Sequence, residues 1–312
     1  MEYVYKALNG KKLTKVEFFQ YFERKVAKTI SRFNLIEHGD TICIGVSGGK
    51  DSLVLLHILS KMSKKKNFKI EAILIDEGID DYREKTIPKA QEVCDANEVK
   101  LNIYSYENEF GQKLDRIVEK GFHPCSVCGV FRRKLLNKYA RKLNATKLAT
   151  GHNLDDEAQA VLMNQYKNNL SLSARMGPKN GIVQHDGFIP RIKPLYLCTE
   201  KEIMIYAFLN NLTDNFTECK YVNDSFRKTV QEQLNDMEEK HPGSKQGLIN
   251  SYLENLPLLR ANFKSDIPIK ACTECGEPCM GDTCNACKME ARLHSQPVEL
   301  QIKENKEKVN EA

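Results

Sequence analysis

Apolar residues in the first half of the chain occur in two kinds of segment. Short runs that are almost wholly apolar predict buried strands, whereas longer segments with apolar residues three or four positions apart predict helices. The predicted strands are residues 41–46, 68–76, 100–106 and 146–151. The predicted helices are residues 13–36, 51–62, 84–97, 130–142 and 155–166. Strands that alternate with helices in this way predict an α/β fold with a doubly wound parallel sheet.

The first predicted helix carries an apolar stripe. Its members recur at helical spacing, and they are Val16, Phe19, Phe22, Val26 and Ile30. We therefore expect the helix to be amphipathic and to pack this stripe against the rest of the protein.

The pattern after residue 166 is less regular. Residues 167–195 contain several glycines and prolines and predict a loop. Two further helices are predicted, at residues 199–212 and 248–263. The charged residues 303–312 predict a disordered tail.

Composition indicates a globular protein. Hydrophobic residues make up 41% of the chain and charged residues 29%. There is no apolar run long enough to span a membrane and no signal-peptide pattern at the start, so we expect a cytoplasmic protein without a membrane partner. In a reducing compartment, spaced cysteines are more often metal ligands or reactive thiols than disulfides.

Positive charge is concentrated in two places. The net charge of +5 does not by itself indicate a nucleic-acid partner, but residues 61–66 and 132–142 are strongly basic. Such clusters suit a surface that contacts phosphates. A solvated helix face is the alternative.

A glycine-rich loop, GVSGGKDS at residues 45–52, joins the first predicted strand to the next helix. Gly48 and Gly49 allow a tight turn in which successive N–H groups face an anion at the start of the helix. Lys50 adds a positive charge, and Ser47 adds a hydroxyl donor. Asp51 follows the lysine, so the loop is not a Walker A loop, which needs Ser or Thr there. The loop predicts a phosphate site.

Polar residues lie at the predicted ends of two more strands. Asp76 ends the second strand, where it either contacts the ligand or simply closes a turn. Gly151 ends the fourth strand and permits a close approach of a nucleotide. His152, Asp155 and Asp156 follow it, and they could hold Mg²⁺ or orient a substrate. Their alternative role is to cap the next helix, with Asp155 as the capping residue.

Four of the 11 cysteines form two C-x-x-C pairs near the end of the chain, at Cys272, Cys275, Cys284 and Cys287. This spacing is typical of a compact tetrahedral Zn²⁺ site, and so small a module needs the metal to fold. Cys279 lies between the pairs, and we interpret it as a spare.

The remaining cysteines divide into two groups. Cys125 and Cys128 precede the predicted basic helix, and Cys219 stands apart from them in sequence. The others lie in predicted strands or helices and are interpreted as small core residues: Cys43, Cys94 and Cys198.

Together, the SGGKDS loop, the GHNLDDEAQ segment, the three separate cysteines and the terminal cysteine pairs resemble the TtuA/TtcA family of tRNA 2-thiolation enzymes. These enzymes belong to the PP-loop ATP pyrophosphatase superfamily. The resemblance extends from about residue 15 to residue 290 and is closest to the TtuA and NcsA/Ctu branch.

The resemblance implies cofactors and site residues. ATP would bind with Mg²⁺ at Gly45, Val46, Ser47, Gly48, Gly49, Lys50, Asp51, Ser52, Asp76, Arg132, Gly151, Asp155 and Asp156. A [4Fe–4S] cluster would be held by Cys125, Cys128 and Cys219. The residues expected to act in catalysis are Lys50, Asp51, Cys125, Cys128, Asp156 and Cys219.

In this family, the C2 oxygen of a tRNA uridine is adenylated and replaced by sulfur. An alternative chemistry places a persulfide on Cys128 or Cys219, with Cys125 resolving it. Arg132 and Arg133 would stabilise either an anionic sulfur or the phosphates of the substrate. The sulfur donor is sulfide or a ubiquitin-like thiocarboxylate carrier, and the assembly expected from relatives is a homodimer.

The target uridine is either the wobble base or a base of the T-loop. The chain is rich in asparagine, with pairs at residues 168–169 and 210–211, and thermolabile residues are disfavoured at high temperature. T-loop thiolation is mostly thermophilic, so we expect the wobble base.

The resemblance divides the chain into four parts. They are a helical segment at 1–38, a PP-loop catalytic domain at 39–265, a zinc ribbon at 266–292 and a disordered tail at 293–312. The first part departs from the family, because residues 1–40 contain no cysteine where relatives have a zinc module.

Two other classes of function share some of these features. A PP-loop synthetase of the amidotransferase type would use the same glycine loop but would have no use for three separate cysteines. A non-catalytic tRNA-binding adaptor would not need an intact Ser47, Lys50 and Asp51.

Overall fold

The computed structural model describes residues 2–180, 187–212, 219–221, 226–263 and 268–295. The strands are β1 (Tyr5–Lys6), β2 (Lys12–Leu13), β3 (Thr41–Gly45), β4 (Lys69–Asp76), β5 (Leu101–Ser105), β6 (Lys147–Ala149), β7 (Arg191–Ile192), β8 (Lys270–Ala271) and β9 (Pro278–Cys279). The longer helices are α1 (Lys15–Arg32), α2 (Lys50–Ser63), α3 (Arg83–Ala96), α6 (Pro124–Lys142), α7 (Leu154–Tyr166), α9 (Glu200–Leu209), α10 (Phe226–Lys240), α11 (Ser244–Asn262) and α12 (Asn285–Ser295). Three helices are short: α4 (Tyr106–Phe110), α5 (Leu114–Glu119) and α8 (Leu170–Ala174).

Five parallel strands form the central sheet in the order β5-β4-β3-β6-β7. Strand β3 is in the middle, and its Ile44 is aligned with Ala72 on β4 and with Ala149 on β6. The predicted α/β fold with a parallel sheet is therefore confirmed. From β3 the chain continues to one side and later returns to the other, so a crevice opens between the carboxyl ends of β3 and β6, where such sheets bind ligands.

Helix α1 buries Phe22, Val26 and Ile30 of the predicted stripe, but its first turn differs from the prediction. Thr14 caps the helix by accepting from the N–H of Glu17, which fixes where the first turn begins. The buried face then runs through Phe18, Phe22 and Val26, whereas Val16 is exposed. The sequence pattern identified the helix correctly but assigned its first turn to the wrong face.

The segment 1–38 was predicted to be helical, but only part of it is. Strands β1 and β2 form an antiparallel hairpin ahead of α1, and the ring of Tyr5 packs 5.2 Å from that of Phe18. Both belong to the core that α1 shares with the central sheet. This segment is therefore packed against the part of the chain that contains the central sheet.

Three other boundaries differ from the predictions. Helix α6 begins at Pro124 rather than residue 130, because proline suits the first position of a helix. The predicted loop at 167–195 contains helix α8 and strand β7, and its residues 181–186 lie outside the described part. Helix α12 continues to Ser295, beyond the predicted end of the ribbon at residue 292, and the predicted tail from residue 296 onward also lies outside the described part.

No described helix is both long and apolar enough to cross a membrane. The buried cysteines Cys43, Cys94 and Cys198 are core residues, as predicted. The Gly-rich loop, the end of β4 and the start of α7 all lie at the carboxyl edge of the sheet.

Candidate active site

The glycine loop turns sharply between β3 and α2. Gly48 has φ +82°, and a Cβ at this position would overlap the carbonyl oxygen of Thr86. Arg83, on the same helix as Thr86, also holds the loop by donating to the carbonyl oxygen of Ser47 at 2.8 Å. Only glycine fits this backbone without strain.

Hydroxyl groups hold the loop in shape. Ser52 Oγ accepts from the N–H of Ser47 at 3.0 Å and donates to the carbonyl oxygen of Gly49 at 2.9 Å. The loop leads directly into the first turn of α2, whose free N–H groups and helix dipole favour an anion. The predicted phosphate site is thus formed by an ordered turn at a helix amino terminus.

Lys50 lies between two carboxylates at the start of α2. Its Nζ is 3.1 Å from Asp51 Oδ2 and 2.8 Å from Glu200 Oε1. Burial alone would lower the pKa of Lys50, but the charges of Asp51 and Glu200 outweigh burial and raise the pKa above its usual value. The lysine is therefore charged and positioned beside the loop.

The segment after β6 packs against this loop. A Cβ at Gly151 would lie 2.9 Å from the backbone carbonyl carbon of Asp51, so only glycine allows the two segments to approach so closely. Asn153 Nδ2 donates to Asp51 Oδ1 at 2.9 Å. These contacts connect the two segments that the sequence predicted to share one edge of the sheet.

Asp155 does not face the cleft. Its Oδ2 accepts from the N–H of Glu200 at 2.7 Å, and its Oδ1 pairs with the buried Lys245. One interpretation predicted that Asp155 caps α7. The capping residue is instead Asn153. Since both oxygens are engaged in packing, the predicted contact of Asp155 with ATP is not favoured.

Asp156 is better placed for a role in binding. Its Oδ1 lies 3.3 Å from Arg227 Nη1. Burial raises the pKa of Asp156, and burial together with the charge of Asp156 raises the pKa of Asp51. Two carboxylates that repel each other in a cleft form an arrangement that a divalent cation would relieve.

The cleft is electropositive around His152. Burial and the charges of Lys193, Arg227, Arg132 and Arg191 together lower the pKa of this histidine to about 3. Four cations near a neutral imidazole favour the binding of an anion with several charges. A polyphosphate or an RNA backbone has this character.

Asp76 and Arg132 lie on the β4 side of the cleft. Asp76 Oδ1 accepts from the N–H of Gly78 at 2.8 Å, so the turn interpretation holds, and its second oxygen is compatible with a ligand contact. Arg132 Nη1 lies 3.5 Å from Glu77 Oε1 and is about half exposed. Its guanidinium is therefore accessible to a ligand.

Cys125, Cys128 and Cys219 come together although 91 residues separate the last two. Cys125 and Cys128 were predicted to precede the basic helix, but they lie in the first turns of α6. Cys125 Sγ is 3.8 Å from the carbonyl oxygen of Tyr221. The charge of Cys219 interacts with those of both Cys125 and Cys128, and all three thiols are free and at least partly accessible.

The spacing of these thiols distinguishes between kinds of metal site. Within the described residues, only the terminal cysteines have four ligand atoms within 4.8 Å of one another, as a single ion requires. The three cleft thiols are more widely spaced, which suits a cluster that binds each sulfur to a different iron. Burial also raises the pKa of Cys128 and Cys219, whereas a reactive free thiolate needs a lowered pKa.

The terminal cysteines Cys272, Cys275, Cys284 and Cys287 form a compact group that could hold one metal ion. Cys279 is not part of it and instead lies 2.8 Å from the carbonyl oxygen of Gly281. The four-thiol set fits tetrahedral Zn²⁺.

The basic residues of α6 have different roles. Lys134 Nζ lies 3.5 Å from Cys287 Sγ, Lys138 pairs with Glu109, and Arg141 pairs with Glu277. These three charges attach α6 to its neighbours, including the terminal module. Arg132 and Arg133 remain exposed, so only part of the basic cluster is available to phosphates.

Sequence reasoning missed Lys193 and Arg191, whose charges act on His152, and four other charged residues of the cleft. Arg83, Glu77, Glu200 and Arg227 support the loop, orient Arg132 or pair with Lys50 and Asp156. Glu77 follows Asp76 at a strand end, which is a usable signal. The other three lie in helices with ordinary patterns, so nothing in the sequence distinguishes them.

Comparisons with known proteins agree with this geometry. A family described as PP-loop domain matches residues 19–235. The tRNA 2-thiolation protein NcsA of Haloferax volcanii is 35% identical over 300 residues, covering 91% of this chain and 94% of that protein. The tRNA-5-methyluridine(54) 2-sulfurtransferase of Pyrococcus horikoshii is 36% identical over 276 residues, covering 88% and 86%.

A solved structure is similar over nearly its whole length. It is the U34-tRNA thiolase NcsA from Methanococcus maripaludis with its [4Fe–4S] cluster, and it has a TM-score of 0.81 and 33% sequence identity. The match covers 93% of each chain.

Proposed function

The chain belongs to the PP-loop family of tRNA 2-thiolation proteins, and on that premise we propose that it is an ATP-dependent tRNA uridine 2-sulfurtransferase. The observation that carries the proposal is that three features are neighbours: the glycine loop, the cations whose charges act on His152, and the three thiols. A synthetase for small substrates would need only the first of them.

The first step activates the uridine. ATP binds with its phosphates on the N–H groups at the start of α2, where Lys50 neutralises part of their charge. The C2 oxygen of the uridine attacks the α-phosphate, the bond to the β-phosphate oxygen breaks, and pyrophosphate leaves. Arg132 lies beside Glu77 and near the Cys128 thiol, so it is suited to hold the adenylated base.

The second step replaces oxygen by sulfur. Cys125, Cys128 and Cys219 would hold a [4Fe–4S] cluster, which when bound would present sulfide from the sulfur donor to the activated C2 carbon. The C2–S bond forms as the C2–O bond breaks, and AMP leaves. A uridine must be unstacked to enter this cleft, which is expected for chemistry on a base.

Two metal ions complete the proposal. Mg²⁺ would bind at Asp51 and Asp156, because burial and the charge of Asp156 raise the pKa of Asp51 and a cation there would offset both effects. Zn²⁺ would bind at the terminal cysteine group, which stabilises a module with little core of its own.

We propose the wobble uridine as the target. The solved structure whose name gives that position, a U34-tRNA thiolase, matches over 93% of both chains. The relative named for the T-loop position has a shorter match of 88% and 86%. Sulfide or a thiocarboxylated ubiquitin-like carrier is the proposed sulfur donor, a homodimer the proposed assembly and the cytoplasm the proposed location.

In vitro thiolation tests this function. Full-length protein reconstituted without oxygen is incubated with unmodified tRNA, ATP, Mg²⁺ and sulfide, and the nucleosides are analysed by mass spectrometry. We expect 2-thiouridine in the anticodon loop, none with Lys50→Met, and normal product with Lys240→Met, an exposed lysine outside both basic clusters.

Each alternative has its own outcome. Product in the T-loop would move the target, and pyrophosphate release from ATP without tRNA would favour a small-molecule synthetase. Absence of 2-thiouridine at both positions would refute the proposal.

A further inference from the structure

Two exposed aromatic rings meet beside the cleft, where α7 ends and α10 begins. Tyr166 is 58% exposed and Phe226 is 40% exposed, and their ring centroids are 6.4 Å apart. Large aromatic side chains are normally buried in the core. A close pair of them on the surface suggests a binding surface.

Positive charge accompanies the two rings. Lys167 Nζ lies 4.7 Å from the centroid of Phe226, and Arg227 follows Phe226 in the chain. Aromatic faces next to cations are the combination by which proteins bind unpaired nucleotides, because the rings stack on bases while the cations contact phosphates.

The pair is continuous with the active site. The guanidinium of Arg227 lies 3.3 Å from Asp156, which faces the cleft. Tyr166 is ten residues after Asp156 on α7, so it lies about 15 Å further along that helix. A nucleotide on the rings and a uridine in the cleft can therefore belong to one RNA loop.

We propose that Tyr166 and Phe226 form a stacking platform for an unpaired base of the same RNA loop that presents the target uridine. This inference rests on the proposed function, because it assigns a subsite to its tRNA substrate. The platform holds a neighbouring base and so stabilises the opened loop while the uridine occupies the cleft. It recognises stacking rather than base identity, since every base has a π face.

The test compares loop RNA with paired RNA. Binding of the full-length protein is measured by fluorescence anisotropy with two labelled probes: a stem–loop with the sequence of the thiolated tRNA arm, and a fully paired duplex of equal length. The variants are Tyr166→Leu and Phe226→Leu, which keep apolar volume but remove the aromatic face. Controls are Tyr166→Phe, which keeps the face, and Phe208→Leu, at a 72% exposed aromatic on α9.

We expect each leucine variant to raise the Kd for the stem–loop at least about fivefold, with the Kd for the duplex unchanged. Both controls should bind the stem–loop like the wild type. Normal stem–loop binding by both leucine variants would overturn the proposal and leave the rings as a protein-docking surface. Equal weakening for the stem–loop and the duplex would also overturn it.

The platform can fail while the proposed function stands. If the wild type thiolates tRNA and the leucine variants bind the stem–loop normally, only the platform is wrong. If the wild type neither binds nor thiolates tRNA, the proposed function itself is wrong.

Discussion

Glu202 connects the amino-terminal segment to the catalytic domain, and its replacement by glutamine should destabilise the protein. Its carboxylate is 1% exposed and accepts from Lys25 at 2.8 and 2.9 Å, from Tyr21 at 2.8 Å and from Tyr5 at 3.2 Å. Burial and the charge of Glu202 raise the pKa of both tyrosines, so they remain neutral donors. The same carboxylate accepts from the N–H of Thr199 and completes the cap of α9.

The cost follows from this geometry. Breaking a fully buried ion pair costs about 3–5 kcal/mol, because the remaining charge is left unpaired. Lys25 is 23% exposed, so water partly solvates its charge when the carboxylate is removed. We therefore expect Glu202→Gln to lower the free energy of unfolding by about 2–3 kcal/mol. Lys25→Met should cost a similar amount, and the double variant should cost less than the sum.

Urea unfolding followed by circular dichroism measures these differences, since the chain has no tryptophan. Glu98→Gln, in an exposed pair with Lys64, is the matched control and should leave stability unchanged. A change below about 0.5 kcal/mol for Glu202→Gln, or full additivity with Lys25→Met, would refute the reasoning. That result would mean that the Glu202 network does not hold the amino-terminal segment in place.

Three further predictions concern the loop, acid stability and the terminal metal. Gly48→Ala should abolish ATP binding in calorimetry and lower stability by about 1–3 kcal/mol, whereas Gly247→Ala, with open space around it, should stabilise by about 0.5–1 kcal/mol; equal effects would contradict the strain. Burial alone would raise the pKa of Asp40, but a buried lysine at 2.7 Å and a threonine hydroxyl keep it below its usual value. The stabilising effect of the Asp40 carboxylate is complete above about pH 4 and is lost as the pH falls through the lowered pKa. The difference in unfolding free energy between wild type and Asp40→Asn should therefore shrink toward about pH 2. A difference that stays constant with pH would contradict this. Elemental analysis should find about one zinc ion per chain, lost in Cys284→Ser and kept in Cys279→Ser, and the reverse result would reassign the ligands.

The phosphate loop could be predicted from the sequence because its causes are local. A buried strand, a turn that needs glycine and a helix start all lie within residues 41–52. The strands of the central sheet were predictable for the same reason, except β7. That strand consists only of Arg191 and Ile192, which are too few residues to produce a pattern. It forms because its backbone pairs with the edge of β6.

Other features depend on contacts between distant residues. The sequence Asn153-Leu-Asp-Asp offers three residues that can cap a helix, and the pattern cannot choose among them. Asp155 is withdrawn from the cleft by Lys245, which lies 90 residues later. The roles of Glu200 and Arg227 likewise follow from tertiary packing, so no local signal could have revealed them.

The most direct test of the account is the iron content of Cys219→Ala. The wild type, the variant and the control Cys279→Ala are reconstituted without oxygen, and iron, visible absorbance and tRNA thiolation are measured on the same samples. We predict about four irons per chain in the wild type and the control, and loss of both iron and thiolation in the variant. Full retention of iron in Cys219→Ala, with thiolation lost, would contradict three-cysteine ligation and favour a persulfide on that residue.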